Sequence, residues 1–244
     1  MKYGEIVQLG RHRLMCGDAT KSEDVHALVC GEKVDLVLTD PPYGINIQGK
    51  NGGGYTGRNT TPDGKHHASP NYPRMINDDN CQCARDNYII VKSLCDNLIF
   101  WGANNFADIL PPSNGWLVWD KRVRLKNGFG HCELAWSNVC GGVKLYSHEW
   151  SGCFREGSYK LNPRPRVHVC QKPVELHAHI LEDFSHEGDV ILDCFGGSGT
   201  TLIACEITGR KCLMMELSPD YCDVIINRYN TLTEGNINYD YHTN

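Results

Sequence analysis

Three observations predict an α/β fold with parallel strands at its centre. The run from Val34 to Leu38 is short, rich in valine and leucine, and followed by Pro41 and Pro42, as is typical of a buried parallel strand. Residues 189–216 follow the pattern strand, glycine-rich turn, helix, strand. A chain of 244 residues, 41% of them hydrophobic, is long enough for one sizeable domain with a small insert.

The strands are predicted from short apolar runs bounded by turn residues. They cover residues 5–9, 13–16, 34–39, 98–101, 116–119, 134–136, 189–193 and 211–216. A Gly10-Arg11 turn joins the first two strands, and Pro111 and Pro112 separate the fourth from the fifth.

The helices are predicted from helical spacing and capping residues over 22–30, 84–96, 173–184, 200–208 and from 219 onward. Ser22 and Ser218 are expected to be N-caps, and Pro173 lies in the first turn of the third helix. Gly209 follows the fourth helix as a C′ residue. The second helix is expected to bury one apolar face formed by Ile89, Ile90, Val91 and Leu94.

Two segments lack a sustained period. Residues 44–80 are rich in Gly, Asn and Thr, which predicts a mobile loop that is either a lid, a nucleic-acid clamp or plain disorder. Residues 141–166 mix Gly, Tyr, Arg and Pro and are expected to form a small irregular insert. We expect a single domain over 1–244 that includes both segments.

Composition limits the class of protein. No run of 18 apolar residues occurs, and the first residues lack a signal-peptide apolar segment, so we expect a cytoplasmic protein without a membrane span. The thirteen cysteines are scattered through predicted strands and helices, which indicates reduced thiols rather than a disulfide framework. Cys81 and Cys83 match no common zinc spacing, and we predict no metal.

Charge is distributed unevenly along the chain. A net charge of −5 argues against a protein that coats nucleic acid non-specifically. Between Trp119 and Lys172, however, ten Lys and Arg stand against four Asp and Glu. Such a basic segment suits a local contact with phosphates, although a solvated loop region would have the same composition.

The residues that follow the central strand suit a ligand with an amino group. Asp40 is a carboxylate acceptor, Pro41 has no N–H and presents its carbonyl at a fixed φ, and Tyr43 offers a flat ring. Two acceptors and a ring fit a planar heterocycle that carries an exocyclic NH2 group. An ordinary Asp-Pro turn would have the same sequence, so the motif alone does not decide the function.

The second motif indicates a nucleoside ligand. Gly197 and Gly199 let the backbone approach a ligand at the start of a helix, and Glu216, at the end of the next strand, is placed to accept hydrogen bonds from a ribose diol. A dinucleotide fingerprint needs a third glycine, which is absent, and no Walker-type lysine follows. A nucleoside without a pyrophosphate fits better, and S-adenosylmethionine is the obvious one.

Taken together, the two motifs resemble those of the amino-group DNA methyltransferases, more narrowly their β subclass, in which the catalytic motif precedes the cofactor motif. The resemblance is carried by Asp40-Pro41-Pro42-Tyr43 and by residues 193–201, with further similar segments at 13–19, 119–121, 171–176 and 215–221. Two positions depart from the family pattern: Cys194 stands where Pro is usual, and Met214 where a small residue is usual.

The resemblance implies a doubly wound, mostly parallel seven-stranded sheet of the S-adenosylmethionine-dependent methyltransferase type, with 141–166 as the target-recognition insert. It implies a catalytic set of Asp40, Pro41, Pro42 and Tyr43. It implies a cofactor-binding set of Asp18, Ala19, Lys172, Asp193, Phe195, Gly197, Ser198, Thr200 and Glu216.

The implied activity is transfer of a methyl group to N6 of an adenine that is flipped out of double-stranded DNA. The basic residues that could hold the phosphates are Lys121, Arg122, Arg124, Arg155, Lys160, Arg164 and Arg166. Cytosine N4, adenine in RNA, and a catalytically idle DNA- or cofactor-binding subunit stay open as alternatives. The sequence decides neither a homodimer nor a cognate restriction endonuclease of the same system.

Overall fold

The structure is a computed structural model that describes residues 1–44, 76–122, 130–151, 154–157, 161–162, 167–168 and 170–234. The strands in these residues are β1 (Ile6–Leu9), β2 (His12–Cys16), β3 (Leu36–Thr39), β4 (Leu98–Trp101), β5 (Gly115–Asp120), β6 (Cys132–Ser137), β7 (Val143–Ser147), β8 (Trp150–Ser151), β9 (Phe154–Arg155), β10 (Val190–Asp193) and β11 (Lys211–Glu216). The α-helices are α1 (Ser22–Val29), α2 (Gln82–Val91), α3 (Val174–Phe184), α4 (Thr200–Ile207) and α5 (Pro219–Glu234), and two 3-10 turns lie at Ala103–Asn105 and Ala107–Ile109.

The main sheet of the described residues has the strand order β1-β2-β11-β10-β3-β4-β6-β5-β7. The neighbouring pairs from β2 across to β4 are all parallel, and β5 pairs with β7 in parallel as well. The predicted α/β fold with a mostly parallel sheet is therefore confirmed. The predicted number of strands is wrong, since the main sheet of the described residues has nine strands instead of seven.

All eight strands predicted from apolar runs are present, and the ninth is β7. β7 lies inside the segment that we expected to be irregular, and it extends the sheet beyond β5. Its apolar residues Val143 and Leu145 are 70% and 66% exposed. The strand therefore lacks the buried apolar face from which strands are predicted. The prediction of an irregular insert was wrong for these five residues; the role of 141–166 in target recognition stays a prediction.

Helices cover both faces of the sheet. Along β3, Leu36 and Leu38 point into the core beneath α3, α4 and α5, whereas Val37 points into the core beneath α1 and α2. This alternation follows from the two-residue period of a strand. Burial on both faces explains why the central strand is an unbroken apolar run.

Two details of the helices differ from the prediction. Ser22 is the first residue of α1, Lys21 occupies the N-cap position, and no side chain caps the helix. Ile89 is 58% exposed, because α2 buries the stripe that contains Ala84, Asn87 and Tyr88 instead. The stripe is hard to find from hydrophobicity because Asn87 belongs to it, donating from Nδ2 to the Ala19 carbonyl at 3.0 Å.

The strands β3 and β10 form the switch point of the topology. They are parallel neighbours at the centre of the sheet. β3 leads through α2 to β4 on one side, and β10 leads through α4 to β11 on the other side and the opposite face. The chain therefore diverges above the carboxyl ends of these two strands, which opens a crevice where open α/β sheets bind ligands.

Most of the predicted Gly-rich loop, residues 45–75, lies outside the described residues. Its two ends meet: a Cβ on Gly44, which has φ +76°, would lie 2.7 Å from the Asn80 Cα. Among the described helices, none is both long and apolar enough to span a membrane. The cysteines in the described ranges are free thiols.

Candidate active site

All thirteen residues of the predicted catalytic and cofactor-binding sets line one cleft above the switch point. The catalytic motif follows β3 directly, and the glycine-rich turn follows β10. Because parallel strands end at the same sheet edge, two segments about 150 residues apart in sequence face each other. Residues 17–20, residues 40–43 and Glu216 are among those that line the cleft.

A hydrogen bond ties the two motifs together. Thr39 Oγ1, at the end of β3, donates to Asp193 Oδ1 at 2.8 Å, and the same oxygen accepts the Phe195 N–H at 3.1 Å. Burial raises the pKa of Asp193 to about 6, although its hydrogen bonds oppose this shift. Asp193 thus holds the glycine-rich turn against the catalytic strand.

Asp40 presents an acceptor to the cleft. Its Oδ2 atom is bonded to the ammonium of Lys172. Its Oδ1 atom is buried and has no hydrogen-bond partner among the residues that the structure describes. Burial raises the pKa of Asp40, and the ammonium of Lys172 works against that rise. A buried acceptor without a partner is costly, so this oxygen suits a ligand that brings an N–H.

The ring of Tyr43 rests on a glycine. A Cβ on Gly102 would lie 2.1 Å from Tyr43 Cδ1, and Gly102 has φ +66°, a conformation that side-chain-bearing residues rarely adopt. Burial raises the pKa of Tyr43 well above its ordinary value, so the phenol is neutral at physiological pH. The missing side chain at position 102 therefore sets where the ring can lie.

Gly102→Ala is expected to reduce turnover at least tenfold, because the new methyl group must push the Tyr43 ring out of place. Gly31→Ala is the matched control, since Gly31 has φ +75° but nothing within 4 Å of an added Cβ. Both variants should lose about 1–2 kcal/mol of stability from the left-handed backbone, measured by thermal unfolding. Equal turnover in the two variants would show that the position of Tyr43 does not matter.

Two thiols support the catalytic segment from below. Cys81 Sγ donates to the Tyr43 carbonyl at 3.1 Å, and Cys83 Sγ donates to the Pro42 carbonyl at 3.5 Å. Burial raises the pKa of Cys83 to about 11, which keeps its proton available for donation. Within the described ranges, no three His, Cys, Asp or Glu side chains are grouped as metal ligands would be. The observed role of the Cys81-x-Cys83 pair is to donate hydrogen bonds to the catalytic segment.

Glu216 presents acceptors on the other side of the cleft. Its carboxylate accepts the Gly197 N–H at 2.7 Å and the Ser218 N–H at 2.8 Å, one on each oxygen. A carboxylate oxygen has about two acceptor positions, so each retains one. Burial raises the pKa of Glu216 to about 7. Two acceptors side by side match the two hydroxyls of a ribose.

Other predicted cofactor residues shape this side of the cleft. Asp18 Oδ1 accepts both the backbone N–H and the hydroxyl of Thr20, at 3.0 and 2.7 Å. Ser198 Oγ lies 3.3 Å from Thr200 Oγ1, which donates to the Lys172 carbonyl at 3.2 Å. Gly196 is needed because a Cβ there would lie 2.9 Å from the side chain of Met214, the unusually large residue of β11.

The structure places Lys172 differently from its assignment to the cofactor set. Although it lines the cleft, its ammonium is bonded to Asp40 and lies 3.3 Å from Glu133 Oε2. Burial lowers the pKa of Lys172, but the two carboxylates outweigh burial and raise it. Lys172 is therefore a charged partner of the catalytic motif, and a cofactor contact stays a prediction.

Sequence reasoning missed several residues of the site. Glu133 on β6 contacts Lys172, and His177 on α3 lies in the cleft with its ring stacked on Trp101. Burial lowers the pKa of His177 to about 3, so this ring is neutral. Neither residue belongs to a motif, and contact with Lys172 or Trp101 depends on the strand order.

The predicted phosphate-binding residues are only partly described. Lys121 Nζ lies 2.5 Å from Glu133 Oε1, and Arg122 lies 3.6 Å from Glu156. Both cations therefore have carboxylate partners within the chain. The remaining candidates fall outside the described side chains: Arg124, Arg155, Lys160, Arg164 and Arg166.

Comparison with known proteins finds a family to which part of the chain is similar. Residues 113–228, just under half of the chain, match the family model N6_N4_Mtase, described as DNA methylase. This segment is therefore similar to the N6/N4 DNA methylases. It includes β10, β11 and Glu216, whereas Asp40 lies before it.

Individual proteins and solved structures are also similar to the chain. YubD of Escherichia coli (strain K12), an inferred methylase, is 25% identical over 221 residues, which cover 86% of each chain. A structure of PvuII DNA methyltransferase, cytosine-N4-specific, superposes with a TM-score of 0.59 at 16% identity, covering 99% of this chain and 93% of that one. The complex of M1.HpyAVI with SAM superposes with a TM-score of 0.53 at 18% identity, covering 88% and 98%.

At such low identity the two structures establish the fold alone. Together with the family match, the comparisons show a similarity to DNA methylases of the N6/N4 type over residues 113–228. They leave the target base, adenine or cytosine, undecided, since a cytosine-N4 enzyme is among the structures with this fold.

Proposed function

We propose that the protein transfers a methyl group from S-adenosylmethionine to the N6 amino group of an adenine in DNA. The observation that carries the proposal is the pair of acceptors in one cleft: the buried Oδ1 of Asp40, which has no partner in the described part of the chain, and the carboxylate of Glu216. The first suits an amine and the second a ribose.

The residues on the cofactor side fit S-adenosylmethionine by their chemistry. Glu216 retains acceptor positions for the ribose hydroxyls, and Gly197, with φ +52°, donates its N–H to that carboxylate. No phosphate-binding lysine is required, in agreement with a ligand that has no phosphate. When bound, S-adenosylmethionine supplies an electrophilic methyl group on its sulfonium.

The catalytic motif is proposed to activate the amine. Asp40 Oδ1 accepts one N6–H and the Pro41 carbonyl accepts the other, while the ring of Tyr43 stacks on the base. The N6 lone pair is normally delocalised into the purine ring. Holding both hydrogens on acceptors favours the tetrahedral nitrogen that would attack the methyl group, and it stabilises charge as it develops. As the N–C bond formed, the bond between methyl group and sulfur would break to leave a neutral thioether, and the methylated nitrogen would then release one of its two protons to water. Proximity of nitrogen and methyl group contributes further.

An adenine in duplex DNA cannot enter such a cleft, so it must be flipped out at a cost of a few kcal/mol. Phosphate contacts from the basic segment between Trp119 and Lys172 are proposed to offset that cost. A homodimer and a cognate restriction endonuclease stay predictions.

Cytosine N4 is the second candidate, because its amino group also presents two N–H bonds and a protein with this fold is cytosine-N4-specific. Asp at position 40, where cytosine enzymes more often have Ser, favours adenine.

The test is to incubate the full chain with methyl-labelled S-adenosylmethionine and mixed-sequence duplex DNA, digest the DNA, and identify the labelled nucleoside. We expect label in N6-methyl-2′-deoxyadenosine. Label in N4-methylcytosine, or label gained only when RNA replaces DNA, would overturn adenine in DNA as the target. Absence of label from every nucleic acid, with the cofactor still bound, would favour an idle subunit.

A further inference from the structure

A chain of alternating charges leads away from the cleft behind Asp40. Lys172 Nζ contacts Asp40 Oδ2 and lies 3.3 Å from Glu133 Oε2. The other oxygen of Glu133 lies 2.5 Å from Lys121 Nζ. The order is carboxylate, ammonium, carboxylate, ammonium, and each inner group contacts two neighbours of opposite charge.

Three separate elements bring these groups together. Asp40 follows β3, Lys172 precedes α3, and Glu133 lies on β6. Opposite Glu133 on β5 stands Trp119, two residues before Lys121. This series of charged groups thus runs from the cleft toward β5. It lies on the side of β3 away from the strands β10 and β11.

The inner ammonium is almost completely enclosed. The side chain of Lys172 is 4% exposed, and its Nζ lies 5.2 Å from the centre of the Trp101 ring, which favours a cation. Burying a charge is unfavourable unless opposite charges surround it. Among the described residues, Asp40 and Glu133 are the carboxylates that contact Lys172. Glu133 therefore helps to keep the ammonium where it can hold Asp40.

We propose that Glu133, acting through Lys172, is a positioning residue for Asp40: it fixes the ammonium that holds Oδ2, so that Oδ1 is turned toward the amine. The inference rests on the proposed function, and it adds to that function Glu133, which lies outside the motifs of the resemblance, and a role for Lys172 at the catalytic motif. Glu133 itself does not line the cleft, so its effect must pass through Lys172.

The charges around Asp40 determine the direction in which each substitution should shift its pKa. Burial raises the pKa of Asp40, Lys172 and Lys121 lower it, and the negative charge of Glu133 raises it. Tyr43, Cys170 and Asp193 also face Asp40 and share its electrostatic environment. Neutralising Glu133 removes a repulsion, so the pKa of Asp40 should fall. Removing the ammonium of Lys172 should raise it.

The test compares Glu133→Gln and Lys172→Met with the wild-type full chain, using single-turnover methyl transfer from pH 5 to 9 at saturating cofactor. The acid limb is the low-pH part of the profile, where the rate falls as Asp40 is protonated. We expect this limb to move to lower pH in Glu133→Gln, and the maximum rate to be about tenfold slower. In Lys172→Met the limb should move to higher pH. Cofactor affinity, measured by calorimetry, should change less than threefold in Glu133→Gln.

Glu32→Gln is the matched control. Glu32 also bridges two cations, Arg13 and Lys211, but it lies away from the cleft. It should leave the acid limb unchanged. Suppose that Glu133→Gln loses rate while the acid limb stays in place in both Glu133→Gln and Lys172→Met. The pair would then have only a structural role, and the proposal would be overturned.

A second readout does not depend on activity. Carbon-13 NMR of the Asp carboxyl groups, with Asp40 assigned by comparison with Asp40→Asn, should show a lower pKa for Asp40 in Glu133→Gln and a higher one in Lys172→Met. If the wild type transfers no methyl group while these shifts are observed, the proposed function fails and the positioning pair stands. If the wild type is active and Asp40 titrates identically in all forms, the pair fails alone.

Discussion

Asp40→Ala is expected to lower the rate of methyl transfer by about 10²–10³ or more, while the affinity for S-adenosylmethionine changes less than threefold. The variant removes Oδ1, the acceptor that the described residues leave without a partner. Deleting one preorganised group that acts on developing charge costs two to three orders of magnitude in known enzymes. Glu216 and Gly197 hold the cofactor side independently of Asp40. Single-turnover kinetics and calorimetry measure the two quantities separately.

The same variant also changes the charge balance, which has to be controlled. Without Asp40, the buried ammonium of Lys172 keeps Glu133 alone as a described carboxylate partner, and some stability is lost. Asp40→Asn retains an acceptor oxygen and the side-chain volume, so it should be slower than wild type but faster than Asp40→Ala.

Asp35→Asn is a control at the opposite end of the same segment, where Asp35 pairs with Lys33 at 2.7 Å. It should transfer methyl groups at the wild-type rate. If Asp40→Ala loses rate and cofactor affinity in equal measure, the amine and cofactor pockets are misassigned.

The parts of the site that the sequence predicted well are those set by local chemistry. The strand β3 is an apolar run stopped by prolines, and β10, the glycine turn and β11 follow one another within a single α/β unit. Strand ends of parallel neighbours share an edge, so the cleft follows from these local patterns once β3 and β10 are adjacent. The catalytic motif and the glycine-rich turn line that cleft for this reason.

The residues that were missed depend on contacts between distant elements. Glu133 contacts Lys172 because β6 pairs antiparallel with β4, the strand next to β3. No local pattern contains this strand order. The predicted buried face of α2 was wrong at Ile89 but right at Val91, which is fully buried. Asn87 was missed because it is buried through its hydrogen bond to the Ala19 carbonyl, which hydrophobicity cannot indicate.

Glu216→Ala is expected to weaken S-adenosylmethionine binding by at least about 100-fold. The carboxylate is proposed to accept two ribose hydroxyls, and hydrogen bonds to a charged group contribute about 1.5–3 kcal/mol each. The variant also leaves the Gly197 and Ser218 N–H groups without their acceptor. The loss should be confined to the cofactor: once the variant is saturated, its transfer rate should lie within about tenfold of wild type.

Cofactor affinity should also depend on pH through Glu216. Burial raises the pKa of this carboxyl to about 7, so lowering the pH from 8 to 6 protonates it in the free protein. Only the ionised form accepts both hydroxyls, so binding favours it and must release the proton at low pH. For a pKa of about 7, affinity should fall about tenfold between pH 8 and pH 6. Calorimetry in buffers of different ionisation enthalpy measures both the affinity and the proton released.

Glu216→Gln separates this effect from the other buried carboxyl of the cleft, Asp193, whose pKa is about 6. The amide cannot ionise, so the variant should bind more weakly at pH 8 and show no tenfold change on going to pH 6. Asp193 has its Oδ1 taken by Thr39 and the Phe195 N–H and is not expected to restore the dependence. A pH dependence that survives in Glu216→Gln would assign it to Asp193 and remove Glu216 as the ribose acceptor.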